Sequence, residues 1–301
     1  MPNWIQHCFE PVDRIAAWPD RHAYRHAARA WMIDQTLNSV DLADVQRVVD
    51  VGCGDGWICH HLAQRFPHVV GFDINPRRIE EHSAQNVLLV AGTAEDPPIA
   101  DGWADLVFSF AVLEHLPERV ATLRSLRRLL SPTGRMIHVV PTTWWKTLQW
   151  MLFVPNKMRK QCRSLTRALA GRPKQRRGKF YEGHETNNPY RVSRRAWYQR
   201  LYPRVHGEFD SNWEEFRQWT PGHWASLFGE ADMRVVEAVE LGIESPYCFG
   251  LSLAARRVLG RRFPCHVAFV AEPLSQQQRQ APKRPHMLDI EHDTASSKTD
   301  A

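Results

Sequence analysis

Gly52, Gly54 and Gly56 stand two apart behind an apolar run, and the carboxyl of Asp50 lies inside the end of that run. Glycines at this spacing let the backbone turn tightly and come close to a ligand. A dinucleotide site spaces its glycines G-x-G-x-x-G and turns helix N-terminal amides toward a pyrophosphate. Here the spacing is Gly-x-Gly-x-Gly, and Asp50 would repel a pyrophosphate. The acid suits a ligand with positive charge, such as an amino-acid ammonium. A nucleoside with an amino-acid tail meets that description. A second acid, Asp73, closes the next apolar run, Val69-Val70-Gly71-Phe72. A carboxylate at the end of a second strand can accept both hydroxyls of a ribose.

These residues need elements to hold them. Short β-rich runs predict strands at 47–51, 68–72, 86–90, 104–109 and 134–140, and helical spacing predicts helices at 57–66, 76–84 and 118–130. Pro67 and Pro132 fall between elements, and Asn75-Pro76 opens a helix. Ahead of them, Ala23, Ala27, Ala30, Trp31, Ile33 and Leu37 mark a helix over 20–38 that packs on the sheet or covers the ligand pocket. Alternating strands and helices require a parallel sheet covered on both faces. Right-handed crossovers then bring Asp50, Gly52, Asp73 and Ser109 to one edge, where ligands bind. The pattern breaks after Pro141 and returns with a helix at about 221–231 and strands at 235–241 and 265–271.

Residues 47–140 resemble the core of class I S-adenosylmethionine-dependent methyltransferases, with a type 11-like domain. Val48 to Gly56 resembles that family's first motif, and Asp73 matches its ribose-binding acid. Gly92-Thr93-Ala94-Glu95-Asp96 resembles the adenine-side loop. Asp105-Leu106-Val107-Phe108-Ser109, followed by Val112-Leu113-Glu114-His115-Leu116, resembles the fourth-strand motif. The resemblance implies S-adenosyl-L-methionine as cofactor. It implies a doubly wound, Rossmann-like α/β sheet of seven strands, the last antiparallel, with an insertion after strand five. It places cofactor contacts at Asp50, Gly52, Cys53, Gly54, Gly56, Asp73, Ile74, Thr93, Ala94, Glu95 and Phe110. Thr93 stands where many relatives carry an aspartate, so the adenine amino group falls to backbone near Ala94 or to Glu95 or Asp96.

Methyl transfer from a sulfonium is an in-line displacement in which the protein supplies alignment and desolvation. A base is needed only where the acceptor must lose a proton. His115, just beyond strand four, is a candidate base, or Glu114 and His115 merely order the loop. His184 beside Glu185 is a second candidate, or ordinary surface. His22 and His26 stand four apart on a helix but show no third ligand, so no metal is expected. Asn187-Asn188-Pro189-Tyr190 superficially resembles the tetrapeptide of amino-methylating nucleic-acid enzymes but lies far beyond strand four, and reads as a turn.

The chain has 301 residues, and 43% are hydrophobic, enough for a core. No apolar run is long enough to span a bilayer. The first residues show no leader pattern, and six scattered cysteines contain no C-x-x-C. The expectation is a cytoplasmic protein, with peripheral contact at the inner face of a membrane. The net charge of +6 is uneven: residues 157–200 hold fourteen Lys or Arg against Glu182 and Glu185, so the remainder carries −6. Just before that segment lies the apolar stretch with Trp144, Trp145, Trp150 and Phe153. Such a stretch beside cations suits a membrane interface over 144–180, or lines a pocket, or belongs to the core. Expected divisions are an N-terminal arm and cap helix at 1–45, a cofactor core at 46–140 and an aromatic, basic insertion at 141–220. The C-terminal part follows at 221–271, with a disordered tail at 272–301. The expected function is methylation, most simply at oxygen, of a small-molecule, lipid-like or glycan-linked acceptor. Rival readings are a nucleic-acid methyltransferase using the basic insertion, a nicotinamide oxidoreductase, and a non-catalytic binding module.

Overall fold

A computed structural model of the protein describes residues 21–75, 85–170, 202–242, 259–260 and 262–275. The arm at 1–19, the helix expected at 76–84, His184 with Glu185, the tetrapeptide and the tail from 276 lie outside the described residues.

Seven strands form one sheet: β1 Arg47–Val51, β2 His68–Asp73, β3 Val87–Ala91, β4 Ala104–Phe110, β5 Leu130–Pro141, β6 Met233–Leu241 and β7 His266–Pro273. Their order is β3-β2-β1-β4-β5-β7-β6. The first five run parallel, and β7 inserts antiparallel between β5 and β6. The strand order reverses between β1 and β4, which makes their carboxyl ends the switch point.

Side chains alternate across the sheet, as a pleated strand requires. Val48 of β1 joins Leu106, Phe108, Ile137 and Val270 on one face, covered by α1 (Arg21–Ser39) and α2 (Trp57–Leu62). Val49 and Val51 join Val107, Met136 and Phe269 on the other, covered by α3 (Arg119–Arg127) and α6 (Pro221–Glu230). Ala27, Ala30, Ile33 and Leu37 of α1 are all buried, so the expected stripe does face the sheet.

Two boundaries differ from expectation by four residues. The helix after Gly56 ends at Leu62. Strand β5 starts at Leu130, so Pro132 lies inside it. The pairing with β4 shifts there, from Ala104↔Leu130 to Leu106↔Arg135, and a proline is tolerated at such an irregularity.

Beyond β5 the chain forms α4, one helix over Thr143–Leu169, and then α5, Asn212–Gln218. Ser211 starts α5 by accepting from Glu214 N at 3.1 Å. Thr220 and Pro221 start α6 with the same cap logic and a proline at the first turn.

Candidate active site at the carboxyl edge of the sheet

The glycine loop joins β1 to α2. Gly52 and Cys53 donate their N–H groups to Phe72 O, at 2.8 and 3.1 Å, which ties the loop to the end of β2. Gly54 has φ +57°, and a Cβ built there would meet nothing within 4 Å. Its backbone therefore borders open space in a conformation that other residues rarely adopt. Its N–H donates to Asp73 Oδ2 at 3.1 Å, and Asn75 N donates to Asp73 Oδ1 at 2.9 Å. Both donors hold the carboxylate in place, and each oxygen keeps accepting capacity for a further donor. Ile74, the next side chain, is 64% exposed. Cys53 is buried, and its carbonyl accepts from Gly56 N, so it shapes the loop from within.

Asp50 lies beneath this loop in the central strand, 1% exposed. Cys59 Sγ donates to its Oδ2 at 3.3 Å, while Oδ1 is buried with no partner. Burial pushes the Asp50 carboxyl up to about 7, and the charge of Arg29 on α1 pulls it back. A buried, half-satisfied carboxyl under a glycine turn is what a cationic amino group would complete. The residues present thus fit the amino-acid end of S-adenosylmethionine, with a ribose at Asp73.

Around the adenine side, Thr93 Oγ1 accepts from Asp96 N at 3.2 Å, Ala94 is buried and Glu95 is exposed. At the end of β4, Phe110 is buried, with the Arg29 guanidinium 5.6 Å above its ring. Ala111 follows at φ 56°. Positive φ is uncommon outside glycine, and such strained backbone concentrates at functional loops.

The turn Leu113–His115 brings Glu114 and His115 to the same edge. Glu114 is fully buried, both its carboxylate oxygens lack hydrogen-bond partners, and burial raises it to about 8. His115 is lowered to about 4, by loss of solvent and then by Arg119. Its side chain keeps 46% of its surface, and the ring is neutral at neutral pH.

His206 is a site residue that the sequence reading missed. Its ring lies 4.8 Å from that of His115, and its Nε2 is 3.8 Å from Glu114 Oε1. Gly207, at φ +104°, lies so close to Glu114 that a Cβ would collide with the Glu114 carbonyl. Glu208 N donates to that carbonyl at 2.9 Å, and Arg119 bridges it to Leu113 O and Glu208 O. Trp145 and Trp219 pack beside the His206 ring. The buried Lys146 Nζ donates to Glu215 Oε2 at 2.5 Å, and His206 N donates to the same oxygen at 3.1 Å. The only local signal for all this was a histidine before a glycine. Glu114, His115 and His206 place ligand-type atoms within 4.8 Å of one another, a spacing that could hold a metal ion. The adjacent Arg119 charge opposes a cation there.

Residues 49–138 match the family model described as a methyltransferase domain. This stretch contains the glycine loop, Asp73, the adenine-side turn and the Glu114–His115 turn. By that model residues 49–138 are a methyltransferase domain, set on the seven-stranded sheet of order β3-β2-β1-β4-β5-β7-β6. The methyltransferase domain is 34% identical over 98 residues to a malonyl-[acyl-carrier protein] O-methyltransferase of Hahella chejuensis, covering 31% of this chain and 35% of that protein. A tocopherol O-methyltransferase of Arabidopsis thaliana is 32% identical over 132 residues, covering 39% and 37%. A ubiquinone biosynthesis O-methyltransferase of Cereibacter sphaeroides is 36% identical over 97 residues, covering 30% and 39%. The match thus spans little more than a third of each of these relatives. Among solved structures, a chain in the complex of the Haloferax volcanii Trm112 methyltransferase activator with a putative methyltransferase superposes with TM-score 0.50. It is 16% identical, over 87% of this chain and 99% of that one, a likeness of fold.

Proposed function

We propose that this protein transfers a methyl group from S-adenosylmethionine to an oxygen of a small-molecule, lipid-like or glycan-linked acceptor. One observation carries the reading. The glycine loop, with Asp50 below it and Asp73 hydrogen-bonded to Gly54, lies against Val112, which leads into the turn that carries His115 beside His206.

The cofactor's sulfonium supplies an activated methyl group. Asp50 and the loop from Gly52 to Gly56 would hold the charged amino-acid end. Asp73 would accept from the ribose hydroxyls, and Ile74, Thr93, Ala94 and Glu95 would hold the adenine end. Phe110, buried at the end of β4, would exclude water from the transferred methyl group, where desolvation strengthens every polar contact. His115, neutral and half-exposed, and His206 beside it are placed to take a proton from an acceptor hydroxyl. Glu114, kept protonated by burial, sets no negative charge beside either ring. His184 remains a second candidate for the base.

The O-methyltransferase names of the three relatives favour oxygen as the methylated atom. A lipid-linked acceptor would be reached where the segment 144–180 meets a membrane, a contact that stands or falls separately from methyl transfer. The test is incubation with methyl-tritiated S-adenosylmethionine and a cell extract, followed by separation into organic-soluble, glycan and RNA fractions. Label in the organic-soluble or glycan fraction is expected. Label in RNA alone, or in no fraction, would overturn the proposal.

A further inference from the structure

Helix α4 carries a feature that methyl transfer does not use. Trp144, Met151, Met158 and Leu165 follow one another at seven-residue steps, two helical turns each, and so share a face. Val154 and Leu169 fall on that face by three- and four-residue steps. Met151 is 67% exposed, Met158 59%, Leu165 62% and Leu169 80%. Exposed large apolar side chains are normal when scattered. Here seven of the thirteen found among the described residues lie on this one helix.

The opposite side of the helix is fixed to the domain. Lys146, Gln149 and Asn156 are buried, Lys146 in its ion pair with Glu215, and Trp145 packs on Trp219 and His206. The stripe therefore cannot turn inward. Thr143–Leu169 contains no acidic residue and six basic ones, five of them from Lys157 onward. No helix among the described residues is long and apolar enough to cross a membrane. A helix with an apolar face, abundant cations and low overall hydrophobicity lies in the plane of a lipid surface, and the absence of acids makes that surface an anionic one.

We propose that α4 docks the protein on an anionic lipid bilayer, with the stripe through Met151, Met158 and Leu165 inserted at the headgroup level. The first turn of the same helix carries Trp145 on its domain side beside His206, so docking brings the His115–His206 site to within roughly one helix diameter of the lipid surface. The acceptor is then an amphiphile taken from that surface. This last step rests on the methyl-transfer reading, while the docking itself does not.

The test sediments the full chain with vesicles of phosphatidylcholine alone and of phosphatidylcholine mixed with phosphatidylglycerol, alongside a Met151→Glu/Met158→Glu variant and a Leu165→Glu variant. Binding of S-adenosylhomocysteine is measured on every sample by calorimetry. The expected result is sedimentation with the anionic vesicles. Affinity should fall by about tenfold or more on neutral vesicles and in the double variant, with a smaller loss for Leu165→Glu. Cofactor-analogue affinity should stay unchanged. Wild-type protein left in the supernatant, or variants that sediment equally well, would overturn docking whatever the calorimetry shows. So would a wild-type dimer that the double variant converts to monomer, because a second copy would then own the stripe. Lost analogue binding by the parent, with vesicle binding intact, would instead sink the methyl-transfer reading and leave docking standing.

Discussion

Asp50 couples the site to the stability of the fold. Its ordinary pKa in an unfolded chain is about 3.9, and burial in the central strand raises it to about 7. The folded state therefore binds the proton more tightly. The contribution of Asp50 is complete below about pH 4 and is lost as pH rises toward 7, at roughly 1.4 kcal/mol per unit. Asp50→Asn removes that dependence. In urea unfolding of the ligand-free protein, the variant should gain about 2–3 kcal/mol relative to wild type between pH 5 and pH 8. A constant difference across that range would contradict the buried, unpaired state of the carboxyl. The same variant should bind S-adenosylhomocysteine more weakly, since the ammonium loses its counter-charge. Residues such as Asp50, Gly54 and Asp73 were legible in the sequence because turn geometry and charge confine their types to a short stretch. His206 was not. Its partners Glu114 and His115 lie far along the chain, and only the fold of the segment after β5 brings them together.

At the scale of elements, the Lys146–Glu215 pair ties α4 to α5 with both side chains fully buried. Burial lowers Lys146 and raises Glu215 to about 7, so desolvation works against both charges and each depends on the other. Breaking a buried pair from one side strands a charge. Glu215→Ala should cost about 3–5 kcal/mol in denaturant unfolding, whereas Lys146→Met with Glu215→Leu should cost far less. Equal losses for the two would mean that the residues contribute volume alone. This pair was invisible in sequence, where nothing links Lys146 to Glu215. The alternating strands and helices from β1 to β5 were legible because each has its own period and its own turn. The length of α4 was harder to read, since Pro155 interrupts it and its apolar and basic halves differ in composition. The start of β5 was misplaced because Pro132 sits at an irregularity in the pairing.

Across the whole molecule, one sheet edge gathers the parts that matter. The switch between β1 and β4 opens the crevice, the glycine loop and Asp73 line one side, and Phe110, His115 and His206 line the other. The segment after β5 adds His206 to that second side and also carries the exposed stripe of α4, the helix proposed to dock. All of this depends on the crevice holding the cofactor. The direct test is calorimetric titration of the protein with S-adenosylhomocysteine, beside Asp73→Ala and an NADH control. The account predicts one site with a dissociation constant on the order of micromolar. It predicts at least about tenfold weaker binding in the variant, from loss of charged hydrogen bonds to the ribose, and no binding of NADH. A well-folded wild-type protein that takes up no S-adenosylhomocysteine, or binds it equally well without the Asp73 carboxylate, would contradict the account.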